Sequence, residues 1–125
     1  MIHLDTNVLV ALPALVAQRH EIVRRIRDGE PAGVSAVVWF EFCCGPASEQ
    51  QRRAVMTVIQ GNVIALDEDV AERAAVLFNG VGRPRRLRTD SLIAATALAA
   101  EAELITYNAS DFAVFAAHGL RLIKL

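Results

Sequence analysis

The sequence predicts an α/β fold, a compact three-layer α/β/α sandwich built around a short, mainly parallel sheet. Three observations lead there. Apolar runs of only a few residues alternate with longer segments whose apolar side chains recur at helical spacing. Most of the short runs are followed by Asp, Asn, Ser or Thr, which favour helix starts. Strands alternating with helices require crossover connections, and those give parallel sheets covered on both faces. A chain of 125 residues, 54% of them apolar and 22% charged, suits a single domain spanning residues 1–125.

The elements follow in order. Met1-Ile2-His3-Leu4 reads as a strand that stops at the capping cluster Asp5-Thr6-Asn7. Val8 to Leu12 is expected to form a short helix ending near Pro13, because the residue before a proline avoids helical geometry. A second helix is expected from Ala14 to Arg27, closed by Asp28-Gly29. Ala32 to Ser35 is a second strand, and Ala36 to Cys44 an apolar helix stopped by Gly45-Pro46. Ser48 to Ile59 is amphipathic, with Ala54, Val55, Val58 and Ile59 on one side. Asn62 to Leu66 is a third strand, followed by an acid-rich helix start at Asp67 and a helix to about Phe78. A Gly/Arg-rich loop from Asn79 to Arg88 leads into an Ala-rich helix from about Asp90 to Ala102. Leu104 to Thr106 is a fourth strand, Asp111 to Ala117 a last helix, and Leu120 to Lys124 a final strand.

Charge and cysteine content narrow the function. The net charge of −1 excludes a uniformly basic coat, although all the basic residues but Lys124 are arginines and four of them fall between Arg83 and Arg88. Cys43 and Cys44 are adjacent, so they form neither an ordinary disulfide staple nor a spaced zinc site, which fits a reducing compartment. Val8 to Ala17 is apolar, but His3 and Asp5 stand where a signal peptide carries basic residues. No run approaches the roughly 18 apolar residues of a membrane span. A cytoplasmic protein without membrane contact is the expectation. A dinucleotide site at Gly80-Val81-Gly82 lacks its third glycine, the three histidines have no zinc spacing, and no Ser or Cys sits in a nucleophile elbow.

The acids are more informative. In open α/β sheets, ligands bind beyond the carboxyl ends of the strands. Asp5 follows the first strand; Asn108 and Asp111 follow the fourth; Asp90 opens the helix leading into it; Glu41 lies on the helix after the second. Taken singly, Asp5, Asp90 and Asp111 are explained by helix capping and the helix dipole. Glu41 is not. Its neighbours are Val37, Val38, Phe40, Phe42 and Cys44, and no basic residue lies between Pro31 and Gln51. A desolvated carboxylate needs a partner, a proton or a cation. Several carboxylates with little else form the ligand set that Mg²⁺ or Mn²⁺ prefers. Hard cations so held can clamp a phosphodiester and activate water. Thr6, Asn7, Ser35 and Thr106 are candidates to orient such ligands, with helix capping the better reading for Ser35.

These residues resemble the PIN-domain family, and within it the small VapC-type toxin ribonucleases. The matching blocks are Ile2-His3-Leu4-Asp5-Thr6-Asn7-Val8-Leu9, Val38-Trp39-Phe40-Glu41, Thr89-Asp90-Ser91-Leu92-Ile93-Ala94-Ala95-Thr96-Ala97 and Leu104-Ile105-Thr106-Tyr107-Asn108-Ala109-Ser110-Asp111-Phe112. Four blocks in the right order span nearly the whole chain, whereas the first alone is a weak signal. The resemblance implies that Asp5, Glu41 and Asp90 are metal ligands, with Asp111 favoured over Asn108 as the fourth because it carries charge. Thr106 resembles the family's hydroxyl residue beside the acids.

The activity implied is Mg²⁺- or Mn²⁺-dependent endonucleolytic cleavage of single-stranded regions of RNA such as tRNA or rRNA. The family further implies a cognate antitoxin whose tail covers the site, and a homodimer. Arg83, Arg85, Arg86 and Arg88 are candidates to hold RNA phosphates, the competing reading being a solvated loop. Two rival functions remain open at this point: a catalytically silent PIN-like module that binds RNA or protein, and a housekeeping RNA-processing nuclease without an antitoxin.

Overall fold

The computed structural model describes residues 1–125. Five parallel strands, β1 (Ile2–Leu4), β2 (Ala32–Ser35), β3 (Val63–Ile64), β4 (Glu103–Thr106) and β5 (Arg121–Lys124), form one sheet in the order β3-β2-β1-β4-β5. β1 is central and buried along its length, as a parallel strand covered on both faces should be. Its register sets Ile2 beside Ala32 on one side and beside Glu103 on the other. The chain winds outward from β1 to β3, then returns to the far side of β1 to lay down β4 and β5. The winding direction therefore reverses between β1 and β4, and the crevice beyond their carboxyl ends is the switch point where such sheets bind ligands.

Seven helices connect the strands: α1 (Thr6–Ala17), α2 (Glu21–Arg27), α3 (Ala36–Cys44), α4 (Glu49–Val58), α5 (Glu68–Gly80), α6 (Arg88–Ala99) and α7 (Ala109–Phe112). This is the three-layer α/β/α arrangement expected from the alternation of segments, and a single cluster of 26 buried apolar residues forms its core. Local chemistry fixes the helix starts. Ser35 Oγ accepts from the Val38 N–H at 3.0 Å, and Asp67 Oδ1 from the Val70 N–H at 2.9 Å. Ser48 and Gln51 form a reciprocal capping box. Gly33 suits β2 because a Cβ there would sit 3.1 Å from the Asn62 carbonyl oxygen, a tighter approach than most Cβ atoms make.

The structure corrects several boundaries. Pro13 does not end a helix; α1 runs through it to Ala17. Val8, Leu9, Leu12 and Leu15 are all buried along one continuous face, while Pro13 itself is exposed. Burial of that face outweighs the backbone hydrogen bond the proline removes. The break comes instead before α2, where Arg19 adopts φ 51°. β3 is only two residues long. The Gly/Arg-rich loop is shorter than expected: α5 extends to Gly80, Arg85–Leu87 forms a 3₁₀ turn, and α6 begins at Arg88, so Asp90 lies within its first turn rather than at its start. The last helix splits into α7 and a 3₁₀ segment, Ala113–His118, that ends at Gly119 with φ 98°.

Candidate metal centre

Asp5 anchors the site. As the N-cap of α1 it accepts from the Thr6 N–H through Oδ1 at 2.8 Å, and its Oδ2 accepts from the Thr106 hydroxyl at 2.6 Å. Its own N–H donates to the Ile105 carbonyl at 3.0 Å, tying the end of β1 to β4. Thr106 is fully buried, and its Oγ1 also accepts from the Asn108 N–H at 2.9 Å and from Asn7 Nδ2 at 3.5 Å. Asn7 Oδ1 in turn accepts from the Tyr107 N–H at 3.3 Å. Asp5, Asn7, Thr106 and Asn108 thus form one hydrogen-bonded group across the switch point, 101 residues separating Asp5 from Thr106 in sequence.

Glu41 and Asp90 face this group. The Glu41 carboxyl is pushed above the usual carboxylate range, first by burial and then by the charges of Asp5 and Asp90. Asp90 is raised to about 6, again chiefly by burial, with Asp5 and Asp111 adding repulsion and Arg86 opposing it. The action of Asp5 and Asp90 on Glu41, and of Asp5 and Asp111 on Asp90, is the sign that chain segments far apart have been brought together. Glu41 Oε1 and the Thr6 hydroxyl oxygen are buried without a hydrogen-bond partner. Asp111 completes the edge of the cluster: its Oδ1 accepts from Arg86 Nη1 at 2.9 Å and its Oδ2 from Asn108 Nδ2 at 2.8 Å. Ser35 stays with its cap on α3.

Of the four loop arginines, only Arg86 touches an acid of the cluster. Arg88 lies over the Phe78 ring, 5.9 Å from its centroid, and Arg83 and Arg85 are exposed without a side-chain hydrogen bond. An apolar groove of about 610 Å³ runs between α1, α3 and α4, lined in part by Val10, Pro13, Phe42, Pro46 and Val58, and it reaches Thr6 and Glu41. Its signal in the sequence was that α1 is apolar on both faces, which leaves Val10 and Val16 exposed.

The donor set fits a hard divalent cation. Every group is an oxygen donor, one buried carboxylate oxygen lacks a partner, and two carboxyls carry the cost of desolvation that a cation would offset. No three of the acids or histidines close on one point as a finished cage.

Fold and site define a doubly wound parallel α/β domain with a carboxylate cluster at its switch point. Residues 2–117 match the PIN domain family, and the chain belongs to it. No curated protein sequence matches the chain. Among solved structures, a toxin–antitoxin complex from Klebsiella pneumoniae is similar at 29% identity and TM-score 0.67, covering 90% of this chain and 91% of that one. VapBC2 from Rickettsia felis, bound to a DNA fragment from its promoter, aligns at 19% identity and TM-score 0.70 over 100% of this chain and 99% of that one. VapBC-1 from nontypeable Haemophilus influenzae aligns at 23% identity and TM-score 0.65 over 99% and 98%. The last two likenesses speak to the fold. No helix is long and apolar enough to cross a membrane.

Proposed function

We infer that this PIN domain is a VapC-type toxin, a Mg²⁺- or Mn²⁺-dependent endoribonuclease that cuts single-stranded regions of RNA such as tRNA or rRNA in the cytoplasm. One observation carries the reading: burial and the charge of Asp5 raise the proton affinity of both Glu41 and Asp90, which come from separate segments, and no basic residue forms an ion pair with any of the three. Three carboxylates so disposed, without a basic partner, suit a divalent cation.

Asp5, Glu41 and Asp90 are the residues that would hold the cation, with Asp111 as fourth ligand and Asn108 at its side. When bound, the cation would polarise the phosphodiester and lower the pKa of an attacking water. The chain's own groups set the geometry. Thr106 fixes the Asp5 carboxylate through its hydroxyl, Asn7 braces the loop after β4, and Thr6 starts α1 beside them. Arg86 stands nearest the acids to receive a phosphate, and Arg83, Arg85 and Arg88 extend the positive loop against which a polyanion would lie. A cognate antitoxin is expected to seat apolar side chains in the groove between α1, α3 and α4 and to present a basic group toward Glu41. Phe40, 67% exposed on α3, offers apolar surface to a second copy in a homodimer.

The test is cleavage of total cellular RNA by the purified protein with Mg²⁺ or Mn²⁺, against EDTA and Asp90→Ala controls, with new ends mapped by sequencing. Discrete cuts absent from both controls establish the activity and its substrate. No cuts from a folded, antitoxin-free sample would favour the silent binding module.

A further inference from the structure

Within the acid cluster, Asp111 alone is already neutralised by a cation of the chain itself. The Arg86 guanidinium bonds its Oδ1 at 2.9 Å, and Asn108 holds its Oδ2 at 2.8 Å, so each oxygen already accepts a hydrogen bond. The same guanidinium acts favourably on Asp90. An incoming cation would therefore compete with Arg86 for Asp111, and an incoming phosphate would compete with Asp111 for Arg86. The pair is solvent-accessible, its side chains 65% and 38% exposed, and exposed ion pairs are held weakly. The backbone beneath it is not free to move. Leu87 is buried, its N–H bonds the Pro84 carbonyl at 2.8 Å, and on the other side Phe112 is buried beside Asp111. A fixed backbone under an exposed side chain lets the guanidinium swing without disturbing the fold. A phosphodiester offers it an anion that accepts two parallel hydrogen bonds.

We propose that Arg86 is a substrate-responsive latch: in the absence of RNA it holds the Asp111 carboxylate, and an entering phosphate draws the guanidinium away and releases Asp111 to the divalent cation. The latch rests on the nuclease reading above and gives it order, because the fourth ligand becomes available when a phosphodiester is present. By linkage, RNA backbone and cation then strengthen each other's binding by the same factor. Arg86 is a positioning residue for the metal centre, acting through Asp111.

The experiment measures Mn²⁺ affinity by electron paramagnetic resonance of the free ion, for wild type, R86Q, D111N and the double variant, with and without an uncleavable 2′-O-methyl oligonucleotide. Both positions are partly exposed, so the variants should fold. Without oligonucleotide, R86Q should bind Mn²⁺ about twofold to fivefold more tightly, the range set by the strength of an exposed ion pair. In the D111N background the same substitution should change affinity by less than about 1.5-fold, because the carboxylate it unmasks is gone. The oligonucleotide should tighten Mn²⁺ binding more in the wild type than in R86Q, where only direct contact between phosphate and cation remains. An equal gain from R86Q in both backgrounds would reveal only the general loss of a positive charge and overturn the latch. So would equal tightening by oligonucleotide in wild type and R86Q. Mn²⁺ bound with no such coupling removes the latch and leaves the nuclease reading standing; Mn²⁺ bound by none of the four proteins removes both.

Discussion

At the amino-terminal edge of the sheet, Glu103 opens β4 and shares the Arg25 guanidinium with Glu30, at 2.9 and 2.6 Å. At the carboxyl-terminal edge, Glu41 and Asp90 face Asp5 with no guanidinium bonded to any of the three. The same chemical groups have opposite states. Arg25 holds the Glu30 carboxyl below the usual range, whereas burial and neighbouring acids push Glu41 above it. The first edge uses charge to tie α2 and the loop after it to β4. The second retains charge that destabilises the fold and suits a cation. A region that costs stability in the free protein marks function more clearly than one that contributes it.

The largest expected effect comes from removing an acid at the second edge. Asp90→Ala should lower metal-dependent RNA cleavage beyond about 100-fold, more than the loss of an outer-shell partner, while the circular dichroism of the folded protein is unchanged. Removing the metal with EDTA should abolish cleavage in the wild type to the same extent, with recovery on adding Mn²⁺. Full activity in folded Asp90→Ala would remove Asp90 from the centre.

Stability should move the other way. The Asp90 carboxyl is raised from 3.8 to about 6, so at neutral pH its charge costs stability, by less than the full shift because solvent screens this half-buried group. Asp90→Asn should accordingly stabilise the protein to urea at pH 7, by on the order of 1–3 kcal/mol. Arg25→Ala, which frees Glu30 and Glu103 at the other edge, should destabilise by about 1–2 kcal/mol and leave cleavage untouched. A stabilising change at one edge and a destabilising one at the other would confirm the contrast; equal losses at both would end it.

Acid separates the two contributions further. His3 is buried in β1, its Nε2 without a partner, and its pKa is lowered from 6.5 to about 4 by burial and then by the N-terminal charge. Between those values the unfolded chain binds the proton and the folded one does not, so this term removes about 3 kcal/mol of stability as pH falls from 6.5 to 4. Asp90 has the opposite sign, because its folded pKa is raised: protonation from about pH 6 down to 3.8 adds stability. The two terms oppose each other in the wild type. Urea denaturation across this range should therefore show a steeper acid loss in Asp90→Asn than in the wild type.

A smaller loss of cleavage than at Asp90 is expected at Thr106. Its replacement by Val keeps the shape and removes the hydroxyl that orients Asp5, with a loss of about 10- to 100-fold in cleavage and about 1–2 kcal/mol in stability. Unchanged cleavage would mean that the Thr6 N–H alone orients the carboxylate.

Much of the fold was legible along the chain. The boundaries of β2 and α3 follow from Ser35, whose side chain caps the helix, and from the stop at Gly45-Pro46. Pro13 misled because its effect on local geometry is visible in sequence, whereas the burial of Val8, Leu9, Leu12 and Leu15 that overrides it is tertiary. Glu41 was conspicuous for a local reason, an acid in an apolar segment with no base nearby, and the structure gives that oddity a cause in Oε1, buried and unpartnered. Asp90 and Asp111 were indistinguishable from ordinary first-turn acids, since capping and the helix dipole account for each one alone.

The sequence by itself determined where strands alternate with helices, which residues cap them, and that one carboxylate had no local partner, because periodicity and capping act over a few residues. Only the tertiary structure decided that Asp5 acts on both Glu41 and Asp90, that Arg86 among four similar arginines faces Asp111, and that α1, α3 and α4 leave an apolar groove beside Glu41. Those relations depend on the reversal of winding between β1 and β4, which joins residues about a hundred positions apart.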